Sequence, residues 1–232
     1  MKEFLRKKII DNRTKTINKK IIIQKSIHKN DKLLYSIKSF GKINKNKTFY
    51  VINRFPGGGM FSNLNFVIHH LYIADKFGFI PIIDMENFPT FYNEKSKINN
   101  SYNSWDYYFE KINKYNLKEV YKSANVILIN NKTYKCKYFD GYNNLGPEHK
   151  KILNKYIKFK QDIIHESKNF INKNFTNKKI LGVHFRGTDQ KTQERHPYPA
   201  TIPQMEKKIY SLLDSKKFDK VFLVTEEKKY LN

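Results

Sequence analysis

The residues best suited to chemistry lie in one short stretch, where an apolar run meets a polar cluster. Ile180–Phe185 has the length and β-branched content of a buried strand in a parallel sheet. Arg186, Gly187, Thr188 and Asp189 follow at once, at the strand end where open α/β sheets bind ligands. The planar guanidinium of Arg186 matches two phosphate oxygens. The pattern indicates a phosphate-binding arginine, and a strand end closed by an Arg186–Asp189 pair is the structural alternative.

A glycine-rich loop is the second stretch that could do chemistry. It lies between a predicted strand at residues 48–53 and a predicted helix that starts at Ser62, and Gly58 and Gly59 are at its centre. Without Cβ atoms, this backbone allows a ligand to approach closely, and the helix amino terminus favours negative charge. The sequence therefore predicts a second anion-binding position here.

The elements around these two stretches predict an α/β protein. A helix closed by Gly78 and a strand at 79–84 complete a β-loop-α-β unit, so the sheet is expected to be parallel with a right-handed crossover. Further predicted elements are a strand at 126–129, one long helix at 148–175, a helix at 204–213 and a buried strand at 221–225. The predicted domains are a basic leader at 1–47, a Rossmann-like domain at 48–150, a connecting helix at 151–178 and the start of a second domain at 179–232.

The composition favours an anionic partner. Lys and Arg number 45 against 21 Asp and Glu, a net charge of +24 that suits nucleic acid, an anionic membrane face or phosphorylated substrates without choosing among them. Cys136 is the single cysteine, so no internal disulfide forms, and two histidines at zinc-binding spacing on a helix are absent. No apolar run reaches the roughly 20 residues of a membrane span. We expect a cytoplasmic protein, held at most peripherally at a membrane.

The two motifs together resemble a known family. Gly58-Gly59-Met60-Phe61-Ser62-Asn63 and His184-Phe185-Arg186-Gly187-Thr188-Asp189 look like the glycine loop and the His-x-Arg motif of the fucosyltransferase superfamily, which includes α-1,2-, α-1,6- and protein O-fucosyltransferases. Thr225-Glu226-Glu227 is similar to their Thr-Asp-Asp strand end. The resemblance covers residues 48–232. It implies a GT-B-like fold of two Rossmann-like domains facing a cleft, with GDP-fucose as donor, a glycan hydroxyl as acceptor, inverting transfer, and no metal or cofactor.

The resemblance also implies roles for single residues. Arg186 would hold the β-phosphate and stabilise the departing GDP, while His184 would line the guanosine or fucose. Glu194, five residues after Asp189, has the spacing of the proposed general base of α-1,6-fucosyltransferases, and an exposed surface glutamate is its alternative. The expected donor-binding residues are His184, Arg186, Gly187, Asp189, Gly58, Gly59, Asn63 and Thr225.

The sequence departs from the pattern of the family at two points, and two other functions are compatible with it. Gln190 replaces the lysine of the α-1,6 branch, and the later donor motifs of the family would lie beyond residue 232. The second domain is therefore expected to be incomplete, and an inactive fragment is an alternative to an active enzyme. One rival is a Rossmann oxidoreductase that binds NAD or another nucleotide, with Asp84 at the ribose position, although Ser62 occupies the third glycine position. The other rival is a nucleic-acid binder, but the lysines are spread everywhere, so we expect no specific nucleic-acid partner.

Overall fold

The computed structural model describes residues 37–55, 57–129, 147–185, 200–215 and 217–225. The chain divides into two compact units, residues 1–161 and 162–232, which are described separately. No helix within these described ranges has the length and apolar character needed to cross a bilayer.

The first unit is built on a four-stranded sheet. Its strands are β1 (Ile37–Lys38), β2 (Phe49–Ile52), β3 (Ile80–Ile83) and β4 (Val126–Leu128), in the order β1-β4-β2-β3. The central strand β2 is parallel to β3 and β4, and β1 is antiparallel to β4. The predicted α/β class with parallel strands is therefore confirmed. The end of the predicted leader belongs to this sheet, because Ile37–Lys38 form β1.

Both faces of β2 are buried in apolar clusters. Tyr50 and Ile52 pack in one cluster with residues of helix α1 (Met60–Phe77), among them Val67 and Leu71. Phe49 and Val51 pack on the other face with Ile82 and with Val120 of the short helix α2 (Leu117–Val120). Full burial of such a side chain contributes about 1.5–3 kcal/mol, so α1 is held mainly by this contact.

The two ends of α1 are fixed differently from each other. Gly78 adopts the left-handed conformation (φ 69°) and donates to Ala74 and Asp75, so the predicted carboxyl-terminal cap is confirmed. The predicted amino-terminal cap is wrong, because the helix begins at Met60 and Ser62 lies within its first turn. The Tyr92 hydroxyl accepts from the backbone N–H of Met60 at 2.8 Å, a bond that supports the earlier start.

The predicted long helix at 148–175 is also wrong. Helix α3 (Pro147–Tyr156) ends before helix α4 (Gln161–Asn174) begins, and residue Phe159 between them forms an antiparallel bridge with Phe109. The Glu110 N–H donates to the Lys158 carbonyl at 2.8 Å, and the ring centres of Phe109 and Phe159 lie 5.0 Å apart. Contacts with a distant segment thus override the helical spacing.

The second unit contains α4 and one parallel strand pair. Strand β5 (Ile180–Phe185) pairs with β6 (Lys220–Thr225), and helix α5 (Ile202–Asp214) lies between them in the sequence. Thr201 begins α5 with a capping box formed with Gln204. The predicted strands are present, but the prediction that β5 is fully buried is wrong. Only Val183 and Phe185 of β5 are buried, since the strand is covered on one face. The predicted GT-B arrangement and domain limits stay predictions.

Buried His70 is expected to make the first unit sensitive to acid. The distance between the Tyr50 hydroxyl oxygen and His70 Nδ1 is 2.9 Å, and burial, followed by the charges of His69 and Arg54, lowers the pKa of His70 from 6.5 to about 3. The unfolded chain therefore binds more protons than the folded chain between these two pH values. The stabilisation is complete above pH 6.5 and is lost as the pH falls towards 3.

We expect His70→Gln to flatten this dependence. Denaturant unfolding between pH 6.5 and 3 should show His70 contributing a slope of at most about 1.4 kcal/mol per pH unit, which the variant lacks. His165→Gln, at an exposed position of α4, is the matched control and should keep the wild-type slope. Equal slopes for His70→Gln and the wild type would contradict a buried neutral imidazole.

Candidate functional site

The glycine turn, residues 57–59, is held by a buried amide. The Gly58 N–H donates to Asn63 Oδ1 at 2.9 Å, and Asn63 Nδ2 donates to the Gly58 carbonyl at 3.1 Å. Gly57 has φ +85°, and a Cβ there would lie 2.9 Å from Asn63 Oδ1, so this position requires glycine. In the first unit Asn63 therefore positions the turn. Direct contact of Asn63 with a donor stays a prediction.

Gly59 differs from Gly57 because the fold itself does not need glycine there. Its backbone has φ −56° and ψ 155°, which any residue adopts, and a Cβ would meet no atom within 4 Å. Gly59 is also exposed, at the start of α1. A glycine at this point leaves open space beside the amino terminus of a helix, where a ligand could approach the backbone.

Arg54 joins β2 to the first turn of α1. One guanidinium nitrogen donates to the carbonyl of Ser62, and the guanidinium carbon lies 5.1 Å from the centre of the Phe66 ring. The other terminal nitrogen lies 3.7 Å from the Cβ position that Gly58 would have. An arginine can donate a hydrogen bond and stack on an aromatic ring with the same planar group, which a lysine cannot do.

Asp84 is fully buried at the carboxyl end of β3. Its carboxylate accepts from the Tyr121 hydroxyl at 2.6 Å, from the backbone and side-chain nitrogens of Asn87 at 2.8 and 3.0 Å, and from the Glu86 N–H at 3.2 Å. Burial raises the pKa of Asp84, and these hydrogen bonds oppose the rise. The carboxylate accepts all these bonds from the chain itself. This supports a role in fixing the loop after β3 and argues against ribose binding.

The carboxyl ends of β5 and β6 lie together at one edge of the strand pair in the second unit. Phe185 is opposite Thr225, and His184 is opposite Val224. The His184 side chain is exposed, whereas Phe185 is buried and Thr225 half-buried. Phe185 and Thr225, the last described residues of the two strands, are therefore direct neighbours in the pair.

The predicted site residues fall into two groups. His184, Thr225, Gly58, Gly59 and Asn63 are described, within two separate units. Arg186, Gly187, Asp189 and Glu194 lie outside the described residues.

Sequence reasoning missed the residues that support the glycine turn, above all Arg54 and Tyr92. A signal for Arg54 was present: only five of the 45 basic residues are arginine, and Arg54 is the one arginine in the described ranges. In a chain so strongly biased to lysine, an arginine beside a glycine turn indicates a need for its planar fork.

Solved structures similar to this chain share little of its sequence. No protein-family model matches the chain, and no curated protein does. Similar solved structures include the NodZ α-1,6-fucosyltransferase soaked with GDP-fucose, which is 15% identical with a TM-score of 0.47 over 80% of this chain and 73% of that one. Another is the fucosyltransferase NodZ from Bradyrhizobium, 14% identical with a TM-score of 0.46 over 80% and 74% of the two chains. Likenesses at this level are too weak to decide either fold or function.

Arg54→Lys is expected to loosen the start of α1. Lysine cannot donate to Ser62 and stack on Phe66 with one planar group, so we expect a loss of about 1 kcal/mol in the free energy of unfolding, measured by denaturant titration. Faster amide exchange at the start of α1 should accompany the loss. Lys76→Arg, the reverse exchange at an exposed position of the same helix, is the control and should change stability by less than about 0.5 kcal/mol. Wild-type stability in Arg54→Lys would refute the role of the guanidinium.

Proposed function

We propose that the protein is a glycosyltransferase that moves fucose from GDP-fucose to a glycan hydroxyl with inversion, on a GT-B-like fold and without a metal. The observation that carries the proposal is the parallel register of β5 and β6, with Phe185 opposite Thr225 at the shared carboxyl edge. The fucosyltransferase-like sequences Arg186-Gly187-Thr188-Asp189 and Glu226-Glu227 continue directly from these two residues. Ligands of parallel sheets bind beyond this edge.

The proposed reaction is a single displacement. The acceptor oxygen attacks the anomeric carbon of fucose, the bond from that carbon to the GDP oxygen breaks, and the acceptor proton passes to the Glu194 carboxylate. Arg186 stabilises the negative charge that develops on the β-phosphate as GDP departs, an interaction stronger in the transition state than in the ground state. His184, exposed at the end of β5, would contact the guanosine or the sugar.

The rival oxidoreductase has less support from the described residues. Its ribose-binding carboxylate would be Asp84, which is fully buried and already accepts four hydrogen bonds. The glycine turn is compatible with either function. We propose that the turn contributes to binding of the GDP-fucose donor.

Ligand choice separates the two functions. We expect GDP to raise the melting temperature of the full chain by several degrees and NAD to leave it unchanged. A larger shift with NAD than with GDP would exclude the proposed donor.

Two glycine variants form a matched pair for the same assay. Gly59→Ala should keep the wild-type melting temperature without ligand, because its Cβ enters open space, but should reduce the shift produced by GDP-fucose. Gly57→Ala should lower the melting temperature itself, because alanine is strained at φ +85°. An undiminished GDP-fucose shift in Gly59→Ala would remove the turn from the donor site.

Arg186→Ala and Glu194→Gln test the chemical step through release of GDP from GDP-fucose with a panel of glycan acceptors. We expect at least a hundredfold loss of kcat for each variant, with GDP binding retained in Glu194→Gln, because a general base contributes about 10²–10⁴-fold. The neighbouring Arg195→Ala and the exposed Glu206→Gln are the controls. Full turnover in Glu194→Gln would exclude that residue as the base.

A further inference from the structure

A cavity of about 670 Å³ lies beside β3 in the first unit. It is bounded by Ile82 and Ile83 of this edge strand and by parts of the segment at residues 97–118. Its volume is within the range of ligand pockets, about 300–1,000 Å³. It is formed by residues other than the glycine turn and the β5 and β6 strand ends.

The inner wall of the cavity is fixed by amide side chains. Asn103 Nδ2 donates to the Ile83 carbonyl at 2.8 Å, and the Asn113 amide donates to the carbonyl of Pro81. Asn103 Oδ1 also accepts from the backbone N–H groups of Met85 and Trp105, at 3.1 and 3.3 Å. The outer edge of β3 is thus satisfied by side chains instead of another strand. The space beside it is preformed, which reduces the entropy cost of binding.

Aromatic rings supply much of the remaining lining. Trp105 stacks on Phe109 with ring centres 4.2 Å apart, and Tyr115 packs edge-on against Phe49 at 5.0 Å. Tyr102 is partly exposed on the same lining, with the Lys97 ammonium 5.5 Å from its ring centre. Flat apolar faces next to hydrogen-bonding groups suit a sugar, which has an apolar C–H face and a rim of hydroxyls.

Trp105 is buried in the wall of the cavity. Trp105 is only 4% exposed, and among the described residues no acceptor lies within hydrogen-bonding distance of its Nε1. A buried donor without an acceptor costs about 1–3 kcal/mol. The N–H is covered by its own packing, so Trp105 contributes ring surface to the wall of the cavity.

The charges around the cavity nearly cancel, in contrast to the +24 of the whole chain. Half-buried Asp106 accepts from the Ser101 hydroxyl at 2.9 Å, and burial raises the pKa of its carboxyl group. With three carboxylates beside four lysines, no large positive excess selects for a phosphate, and sugar hydroxyls would find both donors and acceptors. The charged lining residues are Glu86, Asp106, Glu110, Lys97, Lys111, Lys118 and Lys160.

We propose that this cavity binds a neutral glycan, with sugar hydroxyls bonded to the Asp106 carboxylate and a sugar face on Tyr102 or Tyr115. The identification of this glycan as the acceptor rests on the proposed function, whereas sugar binding itself does not. The site sets specificity for uncharged, hydroxyl-rich ligands.

Trp105 is the only tryptophan of the chain, so indole fluorescence reports directly on the cavity. We would titrate the full chain with neutral tetrasaccharides of glucose, galactose, mannose or N-acetylglucosamine. At least one is expected to give a saturable change in fluorescence, whereas GDP gives none. No change with any of the four, or an equal change with GDP, would overturn the proposal.

Two variants confirm the site by isothermal titration. Tyr102→Leu removes an aromatic face of the lining and should weaken sugar binding about tenfold without lowering thermal stability, because Tyr102 is 40% exposed. Asp106→Asn should weaken binding severalfold, and Glu206→Gln should bind as the wild type does. Wild-type affinity in both cavity variants would overturn the proposal.

The two proposals can fail independently. Sugar binding without any thermal shift from GDP would refute the glycosyltransferase and leave the cavity assignment standing. A GDP shift without sugar binding would do the reverse. Tyr102→Leu should keep the wild-type GDP shift, because Tyr102 belongs neither to the glycine turn nor to the β5 and β6 strand ends.

Discussion

The pairing of β2 with a parallel strand on each side is the constraint on which the first unit depends. All four residues of β2 are buried, so both of its faces need a cover, which α1 provides on one side and the α2 region on the other. Parallel neighbours cannot be joined by a tight hairpin, so α1 must carry the chain back from β2 to β3. The glycine turn and the Asp84 cluster consequently follow strands that end at the same edge of the sheet.

Polar side chains, more than apolar ones, define the shape of that edge. Asn63 holds both sides of the Gly58 peptide, Arg54 joins the turn to α1, and the buried carboxylate of Asp84 gathers the backbone of residues 86 and 87. A buried polar group is costly unless it is satisfied, so each of these networks favours one backbone conformation over its alternatives. The loops are thereby held in one conformation, which preorganises them for the proposed donor.

Local signals predicted the elements that depend on local physics. The strand at 49–52, the Gly78 end of α1 and the parallel sheet follow from apolar runs, a left-handed glycine and chain direction. The break at residues 157–160 was missed because it depends on Phe109, some fifty residues away, and the start of α1 because Tyr92 takes part in it. Gly58 and Gly59 were identified from the sequence, whereas the support from Arg54 and the cavity beside β3 were not, since side chains distant in the sequence create them.

The amides that line β3 also decide how the sheet ends. Pro81 has no N–H, and the carbonyls of Pro81 and Ile83 already accept from Asn113 and Asn103, so this border offers little to an incoming strand. At the opposite border, β1 is only two residues long and antiparallel. Isoleucine and asparagine both occur in aggregating β-structure and are abundant in this chain, whereas its net charge of +24 opposes self-association. Among the described strands, the occupied border of β3 and the shortness of β1 add to this charge in limiting edge-to-edge pairing.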